Sequence, residues 1–181
     1  MTDASDVARA WATIEAVLEA ERPDIAASLR PPATDEQLAR LAAVVGDLPD
    51  DLVASLRIHD GQDDPAWQLG IHDVLSWLGV DAMLEAHALR LSALGDGDEP
   101  IEWMTPDRVR TVMNSRGWLP FTDFQGSGHA IDLDPLPAGT RGQVIWLPID
   151  GPTPAPVAPS YGAWLVDVAE RLANGEVDPA D

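Results

Sequence analysis

The chain has 181 residues, of which 45% are hydrophobic and 23% charged, a balance typical of a folded globular protein rather than a disordered one. It contains no cysteine, which excludes a disulfide framework, a thiolate nucleophile and a cysteine-based zinc site. Thirty-one acidic residues face eleven basic ones, all arginine, and the resulting net charge of −20 disfavours binding to nucleic acid or to an anionic membrane.

The length predicts a single domain over residues 1–181, with frayed ends at 1–4 and 176–181. No apolar run is long enough to cross a bilayer, and the acidic, polar start of the chain is unlike a signal peptide. We therefore expect a cytoplasmic protein. The negative charge would attract a basic protein partner, and a need for solubility would explain it equally well.

The first part of the chain predicts two amphipathic helices. Ser5 or Asp6 can cap the first helix. Its apolar face holds Val7, Trp11, Ile14 and Leu18. Thr34 and Gln37 have the spacing of a capping box and predict the start of the next helix, which Gly46 can end.

Two further helices are predicted before the middle of the chain. Pro49 suits the first turn of one helix, which should end by Gly61. Residues 67–78 could form one or two strands. The next helix should close near Gly95, and its apolar stripe is Val80, Leu84, His87 and Leu91. Residues 101–116 could be a loop or contain a short helical turn.

Turn formers and strand formers alternate from Gly117 to Leu147, which predicts a meander of antiparallel strands. Within one of these strands, Ile131 and Leu133 fall on one face, and Asp132 and Asp134 fall on the other. The meander is therefore expected to present a pair of carboxylates together.

The end of the chain predicts an extended segment and a last helix. Four prolines between 151 and 159 indicate a stiff, extended conformation. Ser160 can cap a helix that Gly175 ends. Its apolar stripe is Tyr161, Trp164, Leu165, Val168 and Leu172. We therefore predict an α+β fold, in which a mainly antiparallel sheet is flanked by helices and the N- and C-terminal helices pack on it.

Candidate catalytic chemistry is sparse. Asp132 and Asp134 form an Asp-x-Asp pair, a pattern that can hold a divalent cation, but an acidic chain contains such pairs by chance and Asp134 before Pro135 suits a turn. The Gly-Ser-Gly run at 126–128 lacks the G-x-S-x-G spacing of a serine nucleophile. Neither a Walker A pattern nor G-x-G-x-x-G occurs. We therefore predict no enzyme activity and assign no catalytic, metal or cofactor residue.

The seven tryptophans are interpreted mainly as core residues. Trp11 and Trp164 lie in helical apolar stripes and should be buried. Trp67 and Trp103 lie in less regular segments, and either could be exposed for stacking against a partner. His87 lies within an apolar stripe, where a packed histidine is the expected interpretation.

Short motifs follow one another through the chain in a specific order. They are Trp11 with Ile14-Glu15, Pro31-Pro32-Ala33-Thr34, Leu48-Pro49, His59-Asp60-Gly61-Gln62, Trp118-Leu119-Pro120, Gly126-Ser127-Gly128, Ile131-Asp132-Leu133-Asp134-Pro135, Gly142-Gln143-Val144-Ile145, and Ser160-Tyr161 with Trp164-Leu165. In this order and spacing they resemble the SUKH superfamily, which includes the fungal cell-wall-assembly regulator domain of the Smi/Knr type and many bacterial toxin-immunity proteins. The chain departs from the pattern at 63–78 and at Gly162, an unfavourable residue within a helix.

The resemblance implies a protein-binding module whose motif residues serve the fold. On this basis the structural residues are Trp11, Pro49, Gly61, Trp118, Pro120, Gly126, Gly128, Gly142, Gln143 and Trp164. Within that set, we expect Trp118 to anchor the sheet and Gln143 to close a turn.

The resemblance and the charge together lead to a functional expectation. We expect, first, an intracellular bacterial immunity protein that neutralises a basic toxin, for example a nuclease, by direct binding. The alternative is a regulatory or scaffolding protein of the cell-wall-assembly type, and an enzyme is the third reading. Acidic loops at 60–64, 96–99 and 132–134 would form the docking surface, with these candidate partner-binding residues: Asp60, Gln62, Asp63, Asp64, Asp132 and Asp134.

Overall fold

A computed structural model describes residues 3–64, 70–71, 74–97, 100–104, 107–149, 153–177 and 179. Trp67, the second half of the acidic loop at 96–99, and the start of the proline-rich segment lie outside these residues. Within them the chain forms six helices: α1 (Ala4–Glu21), α2 (Pro23–Ser28), α3 (Asp35–Val45), α4 (Asp50–Leu56), α5 (Val80–Leu94) and α6 (Tyr161–Ala173). The strands are β1 (Ser76–Trp77), β2 (Trp118–Pro120), β3 (Thr122–Asp123), β4 (Gly128–Asp132), β5 (Gln143–Leu147) and β6 (Ala155–Ala158).

Helix α1 begins earlier than its sequence predicts. The N-cap is Asp3, whose carboxylate accepts hydrogen bonds from the backbone N–H groups of Ser5 and Asp6. At the other end of the chain, the Pro179 carbonyl accepts a hydrogen bond from Arg22 Nη1 at 2.9 Å. Asp3 and Pro179 thus each accept hydrogen bonds from the chain, and the fraying of 1–4 and 176–181 stays a prediction. Residues 1–2, 178 and 180–181 lie outside the described part.

The predicted helix boundaries elsewhere follow from local capping chemistry. Thr34 caps α3, and its capping box with Gln37 is confirmed: the Thr34 hydroxyl accepts from the Gln37 backbone N–H, and the Gln37 side-chain Oε1 accepts from the Thr34 backbone N–H. Gly95 ends α5 as predicted, and Ser160 caps α6. Pro49 is the N-cap of α4 rather than part of its first turn.

The strands form two antiparallel sheets. The larger has the order β2-β4-β5-β6, and the smaller pairs β1 with β3. In the larger sheet Trp118 lies opposite Asp132, and Ile131 lies opposite Val144. Two antiparallel sheets together with six helices in the described residues confirm the predicted α+β fold with mainly antiparallel strands.

The described part of the proline-rich segment is extended, as predicted. Within it, β6 also pairs with β5 and forms the edge of the larger sheet, which the sequence did not indicate. Pro156 lies opposite Ile145, next to a register shift between Val144 and Ile145. An edge strand tolerates proline because one side of it has no partner strand, so the extended segment is recruited into the sheet.

One face of the larger sheet packs against the helices. Ile131 and Val144 point to this face and share a buried cluster with Trp164 of α6 and Trp11 of α1. Helix α6 lies on the sheet, whereas α1 packs mainly on α6 and α4. The side chain of Trp11 contacts the smaller sheet, and its ring centroid lies 5.2 Å from that of Trp77 in β1.

The opposite face is covered by irregular chain. The described residues of the segment 101–116, whose structure the sequence left open, form bends and turns. They place Val109 and Val112 over this face. They pack in a second buried cluster with Trp118, Ala130, Ile145 and Leu147. Strands β2, β4 and β5 are therefore buried on both faces, by helices on one and by a loop on the other, whereas the edge strand β6 is mostly exposed.

Candidate functional site

The described residues contain no obvious metal centre and no membrane-spanning helix. No group of three or more His, Cys, Asp or Glu side chains within the described ranges is placed to hold an ion. None of the helices in the described part of the chain combines the length and the apolar character needed to cross a bilayer.

Asp60, the first predicted partner-binding residue, is buried. The Val80 N–H donates to its Oδ1 at 2.7 Å, and the Gln37 side-chain amide donates to its Oδ2 at 2.9 Å. The Arg30 guanidinium lies 3.6 Å from the same Oδ2. Because both carboxylate oxygens are used by other parts of the chain, Asp60 ties the start of α5 to α3. The expectation that it lies on an exposed acidic loop was wrong.

Gln62 is also an internal residue. Its side-chain oxygen accepts a hydrogen bond from the Trp77 N–H at 3.0 Å, and its amide nitrogen donates to the Ser28 hydroxyl at 3.0 Å. Between the two polar residues, Gly61 has a φ of 69°, and a Cβ there would lie 2.2 Å from the Gly79 nitrogen. The motif at 59–62 is thus a joint between α2, α5 and β1, and Gln62 is corrected from a partner-binding to a structural residue.

Asp63 and Asp64, which follow this joint, reach the surface. Asp63 is exposed, and Asp64 is half-buried and accepts a hydrogen bond from the Ser76 hydroxyl at 2.5 Å. Their role as partner-binding residues stays a prediction.

The predicted pair of carboxylates at 132 and 134 does not form. Asp132 is fully buried, and its oxygens accept from the Gln143 amide at 2.9 Å and the Asp134 N–H at 3.1 Å. Asp134 lies beyond the end of β4, is exposed and pairs with Arg110. Burial raises the pKa of the Asp132 carboxyl. Asp132 is therefore corrected to a structural acid, and Asp134 remains a candidate on the surface.

The remaining motif residues lie where they support the fold. Trp11 donates its indole N–H to the Ser55 hydroxyl, which in turn bonds the Tyr161 hydroxyl, each at 2.8 Å. Gln143 closes the turn before β5 through hydrogen bonds with Thr140. Gly128 is so close to β3 that a Cβ would lie 2.1 Å from the Thr122 oxygen. The others are Pro120 in β2, Gly126 in the β3–β4 turn, Gly142 before β5, and the buried rings of Trp118 and Trp164.

An apolar cleft opens between α5 and the hairpin that joins β3 to β4. Its volume is about 480 Å³. We call it the α5 cleft and define it by Leu89, Arg90 and Leu94 of α5, Asp123 and Gln125 of the hairpin, and Ile149 beyond β5. Three of these are large apolar side chains with substantial exposure: Leu89 at 67%, Ile149 at 47% and Leu94 at 36%. Grouped exposed apolar side chains in a concave site are typical of a binding surface.

A wider groove between α1 and α6 is a weaker candidate. Its volume is about 890 Å³, but its apolar lining consists largely of alanine, at 10, 163, 169 and 173. Two of its charged residues, Asp6 and Arg9, pair with each other. Shallow lining and satisfied charges leave little to hold a partner, so we favour the α5 cleft.

The hairpin tip that borders the cleft has unusual backbone geometry. In the described part of the chain, the non-glycine residues with positive φ are Val74, at 56°, and Gln125, at 54°. Both line a second hollow of about 530 Å³, which shares Gln125, His129 and Ile149 with the α5 cleft. Such conformations cost about 1–3 kcal/mol and concentrate at functional sites.

Arg90 and Asp123 carry opposite charges in the wall of the cleft, and no direct hydrogen bond joins them in the described part of the chain. Arg90 is 9% exposed, and its guanidinium donates to the carbonyls of Gly126 at 2.9 Å and Pro148 at 3.4 Å, and to the Asn114 side chain at 3.4 Å. Burial lowers the pKa of Arg90, and the nearby Asp123 opposes that shift. The Arg90 guanidinium therefore binds the hairpin and the residue after β5, and these bonds use its donors.

Asp123 is the acid of the cleft. It is half-buried, and its Oδ1 accepts a hydrogen bond from the Gly126 N–H at 3.1 Å. Within the part of the chain that the structure describes, no hydrogen bond reaches its Oδ2. Burial raises the pKa of Asp123, and the Gly126 hydrogen bond and the charge of Arg90 offset that only in part. One carboxylate oxygen therefore remains available to a donor from outside the chain.

Four residues of the cleft were not predicted from the sequence: Leu89, Arg90, Asp123 and Ile149. A signal was present in α5, whose buried residues are Val80, Met83, His87 and Arg90. That register places an arginine in the buried stripe and leaves Leu89 outside it. An arginine that replaces an apolar residue in the stripe, next to an exposed leucine, indicates a site rather than plain packing.

Comparison with known proteins gives a consistent picture. A family model described as the SMI1 / KNR4 family (SUKH-1) matches residues 32–167. The "Cell wall biosynthesis/cell cycle regulator smi1" of Schizosaccharomyces pombe is 34% identical over 143 residues, which cover 71% of this chain and 28% of that protein. The "Glucan synthesis regulatory protein" of Neurospora crassa is 28% identical, covering 93% of this chain and 39% of the relative.

A third relative is the "Cell wall assembly regulator SMI1" of Saccharomyces cerevisiae, which is 24% identical over 212 residues. The match covers 94% of this chain and 41% of that protein. The chain therefore spans less than half the length of the curated relatives named here.

Proposed function

Because the chain belongs to the SMI1/KNR4 family (SUKH-1), we propose that it is a regulatory protein-binding module and that the α5 cleft holds its partner. The observation that carries this proposal is the grouping of Leu89, Leu94 and Ile149, all exposed, around the half-satisfied carboxylate of Asp123. Interface energy is concentrated in apolar anchors that enter such pockets, with a few polar groups that set orientation.

A regulatory role is favoured over the immunity role that we expected first. The curated relatives named above are described as regulators of cell-wall or glucan synthesis or of the cell cycle, and they come from fungi. These names support the alternative reading of the sequence. They also describe regulators rather than enzymes, so we propose a binding function without catalysis. The bacterial origin, the toxin partner and the cytoplasmic location remain predictions.

The surface charge supports a basic partner. The chain carries a net charge of −20, and Asp63 and Asp134 lie exposed on it. Charges at the rim of an interface mainly raise the association rate, and salt screens them over a distance of about 8 Å at physiological strength. We therefore assign long-range attraction to these exposed acids and affinity to the α5 cleft.

Site-specific photo-crosslinking tests the proposal. A photoreactive amino acid replaces Leu89 in the cleft or, as a matched control, Met113, which is 49% exposed and lies outside the cleft lining. We expect irradiation in the native cell to join a discrete protein to position 89 and not to position 113. Equal labelling at both positions, or labelling at 113 alone, would contradict the proposal.

The same experiment separates the two roles. The captured protein is expressed with and without the chain. A regulatory role predicts that it is harmless alone, whereas an immunity role predicts that it is toxic alone and harmless when the chain is present.

A further inference from the structure

We infer that the α5 cleft recognises a short apolar segment of a protein partner, and that this segment contains one positively charged side chain. The charged side chain binds Oδ2 of Asp123, and the apolar residues on either side of it in the segment cover Leu89 and Ile149. This inference rests on the proposed function, because it names the chemistry of the occupant of the same cleft.

The apolar part of the inference rests on what the cleft exposes to water. Leu89 and Ile149 leave 67% and 47% of their surface exposed, and both line a cleft of about 480 Å³. The folded chain therefore leaves both side chains largely in contact with water. An apolar segment that fills the cleft would remove them from water, at roughly 25 cal/mol for each Å² buried.

The cationic part rests on the hydrogen bonds of Asp123. Its Oδ1 accepts from Gly126, and its Oδ2 receives no hydrogen bond within the described ranges. Arg90 is near enough to interact with its charge but directs its N–H groups to two carbonyls and an amide. A carboxylate that is partly removed from water gains from a charge-assisted hydrogen bond, and a lysine or arginine side chain supplies one.

An acidic occupant is disfavoured for two reasons. Arg90 is the cationic group of the cleft, but it is 9% exposed and already holds three acceptors of its own chain. An incoming carboxylate would also approach Asp123 and a chain with a net charge of −20. Charge complementarity across the cleft therefore selects a cation.

Synthetic peptides test this chemistry. Short peptides carry Leu, Ile, Val or Phe on both sides of a central residue, which is Arg, Gln or Glu in otherwise identical sequences. The intact protein is screened against this array, and affinities of the best Arg peptide and its Gln and Glu versions are measured by fluorescence anisotropy. We expect the Arg peptide to bind about tenfold or more tightly than its Gln version, and the Glu version to bind still more weakly.

Matched variants of the protein locate the effect. Asp123→Asn keeps an acceptor for Gly126 but removes the charge, so it should weaken the Arg peptide by about tenfold and leave the Gln peptide within about twofold. Glu102→Gln removes the same charge from an exposed acid outside the cleft lining and should change neither affinity by more than about twofold. Leu89→Ser should weaken both peptides, and a thermal melt of each variant confirms that it is folded.

The possible negative results distinguish a failure of the cation site from a failure of the proposed function. Equal weakening of the Arg peptide by Asp123→Asn and Glu102→Gln would show a general electrostatic attraction and overturn the cation site while leaving the proposed function intact. The absence of any binding peptide in the array would also overturn the inference. Peptide binding that is indifferent to Leu89→Ser and to Ile149→Ser would place the site elsewhere, and labelling of a partner at position 89 would then show whether the proposed function survives.

Discussion

Asp60 lies in the loop after α4 and Asp123 is the last residue of β3, and both acids lie near helix α5. The two carboxylates differ in burial and in hydrogen bonding. Asp60 is buried, and both its oxygens accept hydrogen bonds from groups of the same chain. Asp123 is half-buried, and hydrogen bonds from the described residues reach only one of its oxygens. An acid whose two oxygens both accept hydrogen bonds within the chain has a structural role. An acid with one oxygen that lacks such a bond, next to exposed apolar side chains, is available to a partner.

Asp132 extends the comparison. It resembles Asp60, because Gln143 and the Asp134 N–H use both of its oxygens and it is fully buried. The count of acids in this chain therefore says little about binding. The number of hydrogen bonds that each carboxylate still lacks separates structural acids from binding acids, and the following changes test that separation.

The largest effect is expected from Trp118→Ala. Trp118 lies opposite Asp132 in the sheet and is 1% exposed. Removing a fully buried aromatic ring costs about 3–5 kcal/mol of unfolding free energy. Chemical denaturation measures this directly. A variant with an unchanged midpoint would show that the ring is exposed in solution and that the sheet face around Asp132 is open.

Asp60→Ala should also be strongly destabilising. It leaves the Val80 N–H and the Gln37 amide without their acceptor, and each buried unsatisfied donor costs about 1–3 kcal/mol. We expect a loss of about 2–4 kcal/mol in urea denaturation, with peptide affinity unchanged for the folded fraction. A stable Asp60→Ala protein that has lost its partner would reverse the roles of Asp60 and Asp123.

Asp123→Asn should change stability little at neutral pH, by about 1 kcal/mol or less, because the Gly126 hydrogen bond is retained. The pH dependence has a defined sign. Burial raises the pKa of Asp123 above its ordinary value, so its protonated form favours the fold. The stability that this group contributes is present at low pH and is lost as the pH rises through its raised pKa.

Denaturation of the wild type and of Asp123→Asn across that pH range tests the sign. Relative to the wild type, the variant should gain stability as the pH rises from the ordinary aspartate value through the raised pKa, and the difference should then stay constant. A difference that moves in the opposite direction would show that Asp123 is paired with a cation in the free protein.

The smallest effect is expected from Asp63→Asn. Asp63 is exposed, so its replacement should change stability by less than about 0.5 kcal/mol. For a basic partner, we expect a slower association rate at low salt, a shallower salt dependence and an unchanged dissociation rate. Stopped-flow kinetics distinguishes this rim effect from the loss of affinity that Asp123→Asn should cause.

Much of the fold could be predicted because its causes are local. The capping box at Thr34, the end of α5 at Gly95 and the meander after Gly117 all depend on residues close in sequence. The structural role of Asp60 could not be predicted in this way. Its donors come from positions 37 and 80, and without them an acid in a polar loop indicates a solvated turn.

The α5 cleft was hidden for the same reason. Leu89 and Asp123 come together only because the β3–β4 hairpin folds back beside α5. The predicted stripe of α5 was confirmed only in part: Val80 and His87 are buried, but Met83 and Arg90 are buried where Leu84 and Leu91 were expected. Such a difference is small for a prediction of secondary structure, but it decides whether Arg90 is recognised as part of a site.

The most direct test of the central claim is to map the partner on the protein by NMR. The isotopically labelled chain is titrated with the protein captured at position 89, and the change of each backbone amide signal is followed. The account predicts the largest changes in residues 86–94, 122–129 and 149, with small changes around Asp60 and Asp132. Changes concentrated in the groove between α1 and α6, or around the motif at 59–62, would contradict it.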